Sequence, residues 1–212
     1  MRQRNLARTA ICEKSNKPLR WIAASLLVGA IFGFNIAGNK ENDNYTEAPS
    51  AETALLSDNI QLCFTPDEKC TPLILKEIAL AKDTIYVQAY GMSSPPIVEA
   101  LVDAHKRGVK VNILLDKSNL NDSWSKMQEL VDAGIEVNID KLPGIAHNKV
   151  IIIDLQKIIT GSFNFTRSAD TRNAENVIVI DDKVIADRYV KNWLLRWVVA
   201  TWQNQVARRS QL

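Results

Sequence analysis

From Pro72 to Val206 the chain alternates two apolar patterns, one with helical period and one with strand period, separated by short polar punctuation. Pro72–Lys82 (PLILKEIALAK) puts Leu73, Ile74, Ile78 and Leu80 or Ala81 near helical spacing behind a proline suited to a first turn, and predicts a helix. Thr84–Tyr90 is a β-branched and aromatic run that predicts a strand. The alternation repeats as a helix over Pro96–Arg107 stopped by Gly108, a strand over Lys110–Leu115, a helix over Ser123–Ala133 stopped by Gly134, and a strand over Glu136–Ile139. Helices that end at a glycine and hand over at once to an apolar strand mark a layered α/β domain. Further strands are predicted over Lys149–Ile153, Ile158–Gly161 and Val177–Ile180, and a long final helix over Lys183–Val206. Within that helix Trp193 and Trp197 are four apart and share a face, which predicts packing against the sheet. There is no long internal duplication.

The amino-terminal part has a different character. Trp21–Ala37 (WIAASLLVGAIFGFNIA) carries no charge, and six of the 26 Lys and Arg precede it within the first twenty residues, against the single acid Glu13. Such a segment is an export signal or a membrane anchor, and its length fits both. The basic flank holds that end in the cytoplasm and sends the remainder across the membrane. The expected address is therefore export across a bacterial inner membrane, periplasmic or secreted, or anchorage in that membrane facing the periplasm. Gly38–Pro49 (GNKENDNYTEAP) is polar and aperiodic, as in a solvated linker. The expected organisation is residues 1–37 as signal or anchor, 38–54 as linker and 55–212 as the folded domain.

Charge narrows the chemistry. Beyond the first twenty residues there are 20 basic and 23 acidic side chains, a net of −3. Bulk attraction to nucleic acid is thereby excluded, and phosphate recognition must come from a local patch. Of the three cysteines, Cys63 and Cys70 bracket the short loop FTPDEK. In an exported domain the expectation is a disulfide closing that loop; a zinc site would need ligands the neighbourhood does not offer.

The segment Ile145–Ile180 (IAHNKVIIIDLQKIITGSFNFTRSADTRNAENVIVI) concentrates reactive groups. His147 and Lys149 are expected two apart on a strand, so that both side chains project from the same face. A strand as apolar as VIII gains nothing structurally from an imidazole and an ammonium at its start. Ser162 and Asn164 again share a parity, Gly161 permits close backbone approach, and Glu175 stands before the last predicted strand. A nucleophile, a cation, neutral donors and a carboxylate suit a tetrahedral anion: Lys149 and Asn164 would hold phosphate oxygens while the imidazole attacks phosphorus. His105, beside Lys106 and Arg107 on a predicted helix, reads as a surface residue.

His147, Lys149 and Asp154, followed by Gly161, Ser162 and Asn164 and then Glu175, resemble the HxKxxxxD and GSxN signature of the phospholipase D superfamily. The length and order of elements from about Ile60 onward are similar to its single-motif, Nuc-like branch. The resemblance implies a mixed β-sheet flanked by helices on both faces. It also implies catalytic roles for His147, Lys149, Asp154 and Glu175, a phosphate site at Lys149, Ser162 and Asn164, and no metal or cofactor. His147 would form a phosphohistidine and Glu175 would orient its ring. Asp154 has the wrong strand parity to point with His147 and Lys149 and is expected to organise the turn. Because one motif supplies one histidine, a homodimer with a composite active site is implied, the second His147 acting as general acid. The expected substrate is nucleic acid, with a phospholipid as the alternative and an inactive binding module on the same fold as the remote one, and membrane association is expected through the amino-terminal segment.

Overall fold

The computed structural model describes residues 58–209, with side chains described through Gln205. The apolar segment Trp21–Ala37, the linker and Cys12 lie outside these residues, and among the described residues no helix is long and apolar enough to cross a membrane.

In chain order the elements are β1 (Ile60–Thr65), α1 (Thr71–Leu80), β2 (Thr84–Ala89), α2 (Pro95–Lys106) and β3 (Lys110–Asp116), then a 3-10 turn over Lys117–Leu120 and α3 (Met127–Asp132). There follow β4 (Glu136–Asp140), β5 (Lys149–Ile153), β6 (Lys157–Gly161), α4 (Arg167–Thr171), β7 (Glu175–Asp181) and α5 (Lys183–Arg209). The strands form one mixed seven-stranded sheet in the order β1-β7-β6-β5-β2-β3-β4. Helical crossovers α2 and α3 return the chain to the same end of the sheet, so β2, β3 and β4 are parallel. The short turn after β5 reverses the chain instead, making β5, β6, β7 and β1 an antiparallel half joined to β2 through β5.

Each face of the sheet is covered. Ile151 and Ile153 face a large core with Ile74 and Ile78 of α1, Ile97 and Leu101 of α2, Leu130 of α3 and Ala169 of α4. Val150 and Ile152 face a smaller core closed by Ala186 and Trp193 of α5. A strand inside a two-faced sheet must be apolar at every position, which is why KVIII shows no alternation. Trp193 is buried, stacks on Tyr86 at 4.4 Å between centroids and donates its indole N–H to the carbonyl of Val87 at 2.9 Å. Trp197 stacks on Trp193 at 4.7 Å, partly buried.

Three details differ from the sequence expectations. β1 has no counterpart among the predicted strands, because IQLCFT is short and its alternation is weak. The helix expected over Ser123–Ala133 is helical only from Met127; Asp122 accepts from the Trp124 N–H and stabilises a turn there instead. His147 is not on a strand: β5 starts at Lys149. Cys63, in β1, and Cys70, capping α1, have their sulfurs at 2.03 Å.

Asp154 sits immediately beyond β5 with φ of 51°, at the end of the strand opposite to His147. Its carboxylate accepts the backbone N–H groups of Lys82, Asp83 and Thr84, at 3.0, 2.8 and 2.9 Å, fastening the β5–β6 turn to the start of β2. Burial pushes this carboxyl up, but those amide donors outweigh it and hold it below the ordinary aspartate range. We expect Asp154→Ala to lower unfolding free energy by about 1–3 kcal/mol in urea titrations, because three amides lose their acceptor. The native carboxyl is the more acidic, so its contribution is full above the ordinary aspartate range and fades as pH falls through the lowered native value. Unfolding curves of wild type and variant should therefore converge on acidification.

Candidate active site

The carboxyl ends of the parallel strands β2 and β3 and the antiparallel register of β5, β6 and β7 bring the marked residues to one edge of the sheet. Ala89 of β2 lies opposite Lys149, Gly161 of β6 opposite Val177, and Glu175 of β7 opposite Thr65 of β1. His147, Lys149, Ser162, Asn164 and Glu175 thus lie at the same end of three adjacent strands, β5, β6 and β7, whereas Asp154 lies at the other end of β5.

His147 is exposed on the loop that enters β5. Its ring meets Tyr90 edge-on, at 4.7 Å between centroids and 67°. Tyr90 follows β2, and its N–H donates to the carbonyl of Asn148 at 3.0 Å, so backbone and ring both fix the segment around His147. Lys149 is buried, 6% exposed. Its ammonium donates to the carbonyl of His147 at 2.8 Å and lies 5.3 Å from the Tyr90 ring centroid, within cation–π reach. Burial lowers the pKa of this ammonium, and the charge of Glu175 partly restores it.

Glu175 holds a tight polar cluster. Ser162 Oγ donates to its Oε2 at 2.6 Å and Asn173 Nδ2 donates to its Oε1 at 2.9 Å. Ser162 Oγ in turn accepts from the backbone N–H of Asn176 at 3.1 Å. The ring-orienting contact implied for Glu175 is not the one made here: its carboxylate oxygens accept from Ser162 and Asn173, and it reaches Lys149 through space. Gly161 makes the cluster possible. It has φ of +145°, and a Cβ there would lie 2.1 Å from the Asn176 carbonyl oxygen.

Along the GSFN stretch Phe163 and Phe165 go into the large core, and Ser162 and Asn164 alternate with them. The backbone N–H groups of Ser93 and Ser94 donate to the Phe165 carbonyl, both at 2.9 Å, and Gly91 lets this loop pass close to Asn164 and Thr166. The buried Oδ1 of Asn164 has no hydrogen-bond partner among the described residues. The residue as a whole is half-buried.

Nothing in the spacing of the motif singles out Tyr90 or Asp116. Asp116 is buried at the end of β3, accepts the N–H of Ala146 at 2.6 Å and of Ser118 at 2.8 Å, and so pins the loop just before His147. Burial pushes its carboxyl up, but these donors outweigh that and hold it low. Lys117 adds a hydrogen bond to the carbonyl of Leu142 at 2.9 Å. The available signal was positional: a carboxylate closing the apolar strand KVNILLD stands where parallel α/β sheets place ligands, outside the carboxyl ends of the strands.

Chemically, the arrangement sets an exposed imidazole beside a buried ammonium, with hydroxyl and amide groups around them. It can deliver a nucleophile to an anion whose charge the ammonium and neutral donors compensate.

Residues 74–197 match the family described as cardiolipin synthase, PLD-like domain. The chain is similar to the phospholipase D of Rickettsia bellii (strain RML369-C), 48% identical over 195 residues that cover 87% of this chain and 97% of the relative. It is 33% identical to the human mitochondrial cardiolipin hydrolase over 69% of this chain and 57% of that one. Its fold is similar to that of Nuc from Salmonella typhimurium, a phospholipase D family member, with a TM-score of 0.62 and 37% identity over 65% of this chain and 93% of the other.

Gly161→Ala and Gly108→Ala separate steric fit from backbone preference. Both glycines have positive φ, but a Cβ at Gly108 meets nothing within 4 Å. Thermal unfolding should show a loss of about 1 kcal/mol for Gly108→Ala. For Gly161→Ala we expect a clearly larger loss together with collapse of activity, because β6 and β7 must separate.

Proposed function

The chain belongs to the phospholipase D superfamily and is a phosphodiesterase, and from that membership we propose that His147 is its nucleophile. The observation that carries the proposal is an exposed imidazole and a buried ammonium that both meet the Tyr90 ring at the carboxyl edge of the sheet, the ammonium also bonded to the backbone carbonyl of His147. His147 attacks phosphorus; a bond from ring nitrogen to phosphorus forms as the ester P–O bond breaks and the alkoxide departs. Lys149 and Asn164 hold the non-bridging oxygens, on which negative charge accumulates. Ser162 and Glu175 keep that wall of the site in place.

An alkoxide leaves only if it is protonated, and His105, the other histidine in the chain, lies on α2. We assign the general acid to the partner subunit's His147, in an isologous dimer with one composite site on the twofold axis. Having given its proton to the leaving oxygen, that imidazole accepts a proton from water. Hydroxide then displaces the phosphoryl group from His147, breaking the nitrogen–phosphorus bond and regenerating both rings.

The substrate we favour is a phospholipid. Relatives at 48% and 58% identity bear the name phospholipase D, and exposed apolar side chains stand on the loops beyond β3 and before β5, Leu120 and Trp124 on the first and Ile145, two residues before His147, on the second. Likeness to Nuc, at 37% identity, keeps a nucleic acid as the second reading. The juxtaposed Cys63 and Cys70 support an oxidising compartment for the domain in either case.

Wild type and His147→Asn should be assayed with EDTA present, on phosphatidylcholine vesicles, plasmid DNA and RNA. We expect head-group release by wild type alone, with the variant down by roughly 10³-fold or more, as when a nucleophile is removed. Cleavage of nucleic acid with vesicles untouched would transfer the protein to the second reading. Activity abolished by EDTA, or retained in the variant, would sink the mechanism. Specific activity should also fall on dilution, as the composite site comes apart.

A further inference from the structure

The helix α5 buries Ala186, Trp193 and Ala200, seven residues apart, and so turns one stripe to the sheet. The opposite stripe of its carboxyl-terminal half is apolar and in water: Leu194, Leu195, Val198, Val199 and Trp202, with Leu195, Val198 and Trp202 exposed at 69%, 65% and 64%. Helical spacing makes these five side chains one continuous band rather than scattered exposed residues. A contiguous apolar band of this kind on a folded domain marks an interaction surface.

The charge around the band says what it meets. From Arg188 to Leu212 there are five Lys and Arg and no Asp or Glu, although the chain as a whole holds 24 acids. Arg188 and Lys191 are exposed on the turns that precede the band, while Arg196 is taken by Asp140 of β4. A helix with an apolar face, cationic flanks and an amphipathic Trp at its edge has the make-up of an element that lies in a membrane interface, its apolar side among the acyl chains. A second copy of the chain fits less well. Across a twofold axis this face would meet itself, cation toward cation, with no acid on the stretch to answer it.

We propose that the outer face of the carboxyl-terminal half of α5 docks on an anionic phospholipid bilayer. The proposal concerns a surface on the opposite side of the sheet from α1 and α2 and stands whichever phosphodiester the active site cleaves.

Hydroxyl-radical footprinting of the full-length protein, read peptide by peptide, tests it without interference from other membrane-binding segments. Vesicles of equal parts phosphatidylcholine and phosphatidylglycerol should reduce labelling of Leu195, Val198 and Trp202 several-fold, and pure phosphatidylcholine vesicles should reduce it little. Added salt should weaken the protection. The double variant Arg188→Glu, Lys191→Glu should lose the protection while hydrolysing soluble bis(p-nitrophenyl) phosphate as wild type does. Unchanged labelling on anionic vesicles would overturn the proposal. So would protection that appears without lipid and rises with protein concentration, which would assign the band to a second copy.

Discussion

The structure depends on the register of β5. Side-chain direction along a strand has a period of two, so a slip by one residue would exchange Val150 and Ile152 with Ile151 and Ile153 between the two cores. The same slip would swing the Lys149 ammonium out of its contact with the carbonyl of His147. Both cores accept β-branched aliphatics, so hydrophobicity alone holds this register weakly. What discriminates is polar: Lys149 at one end of the strand, and at the other Asp154, whose carboxylate is received by three amides at the start of β2. Packing holds the sheet together, and the two ends decide which packing it is.

Burying the Lys149 ammonium disfavours its charged form, and the nearby charge of Glu175, the His147 carbonyl and the Tyr90 ring offset this only in part. A phosphate oxygen entering the site would supply the missing compensation. The site is therefore better matched to an occupied state than to an empty one, which is the condition for binding an anion selectively without bulk positive charge. That reconciles a slightly acidic body with phosphate chemistry.

Most of the layered fold was legible because helix and strand periods are local properties. β2, β3, β4, β5, β6 and β7 all appear close to their predicted positions, and the both-faced cover of the sheet agrees with the continuous apolar run in β5. The weak alternation of IQLCFT hid β1, whose place at the edge is set by pairing with β7 across more than a hundred residues of sequence. At the site, His147 and Lys149 were legible as polar residues with no structural reason to precede VIII. Tyr90 and Asp116 were not, since their importance lies in touching a loop from a different part of the chain. Glu175 was legible as an acid of the site, but its partners depend on how tightly Gly161 lets β6 approach Asn176.

The distance from Lys149 to Asp154 is one strand, all five residues of β5 and no more. HxKxxxxD is thus a ruler, with the residues proposed for the chemistry at one mark and the fastening of the fold at the other. The two marks can part company in evolution. A descendant could lose its histidine, keep the aspartate and the interval, and still build this sheet, so the acid by itself testifies to the fold and not to activity.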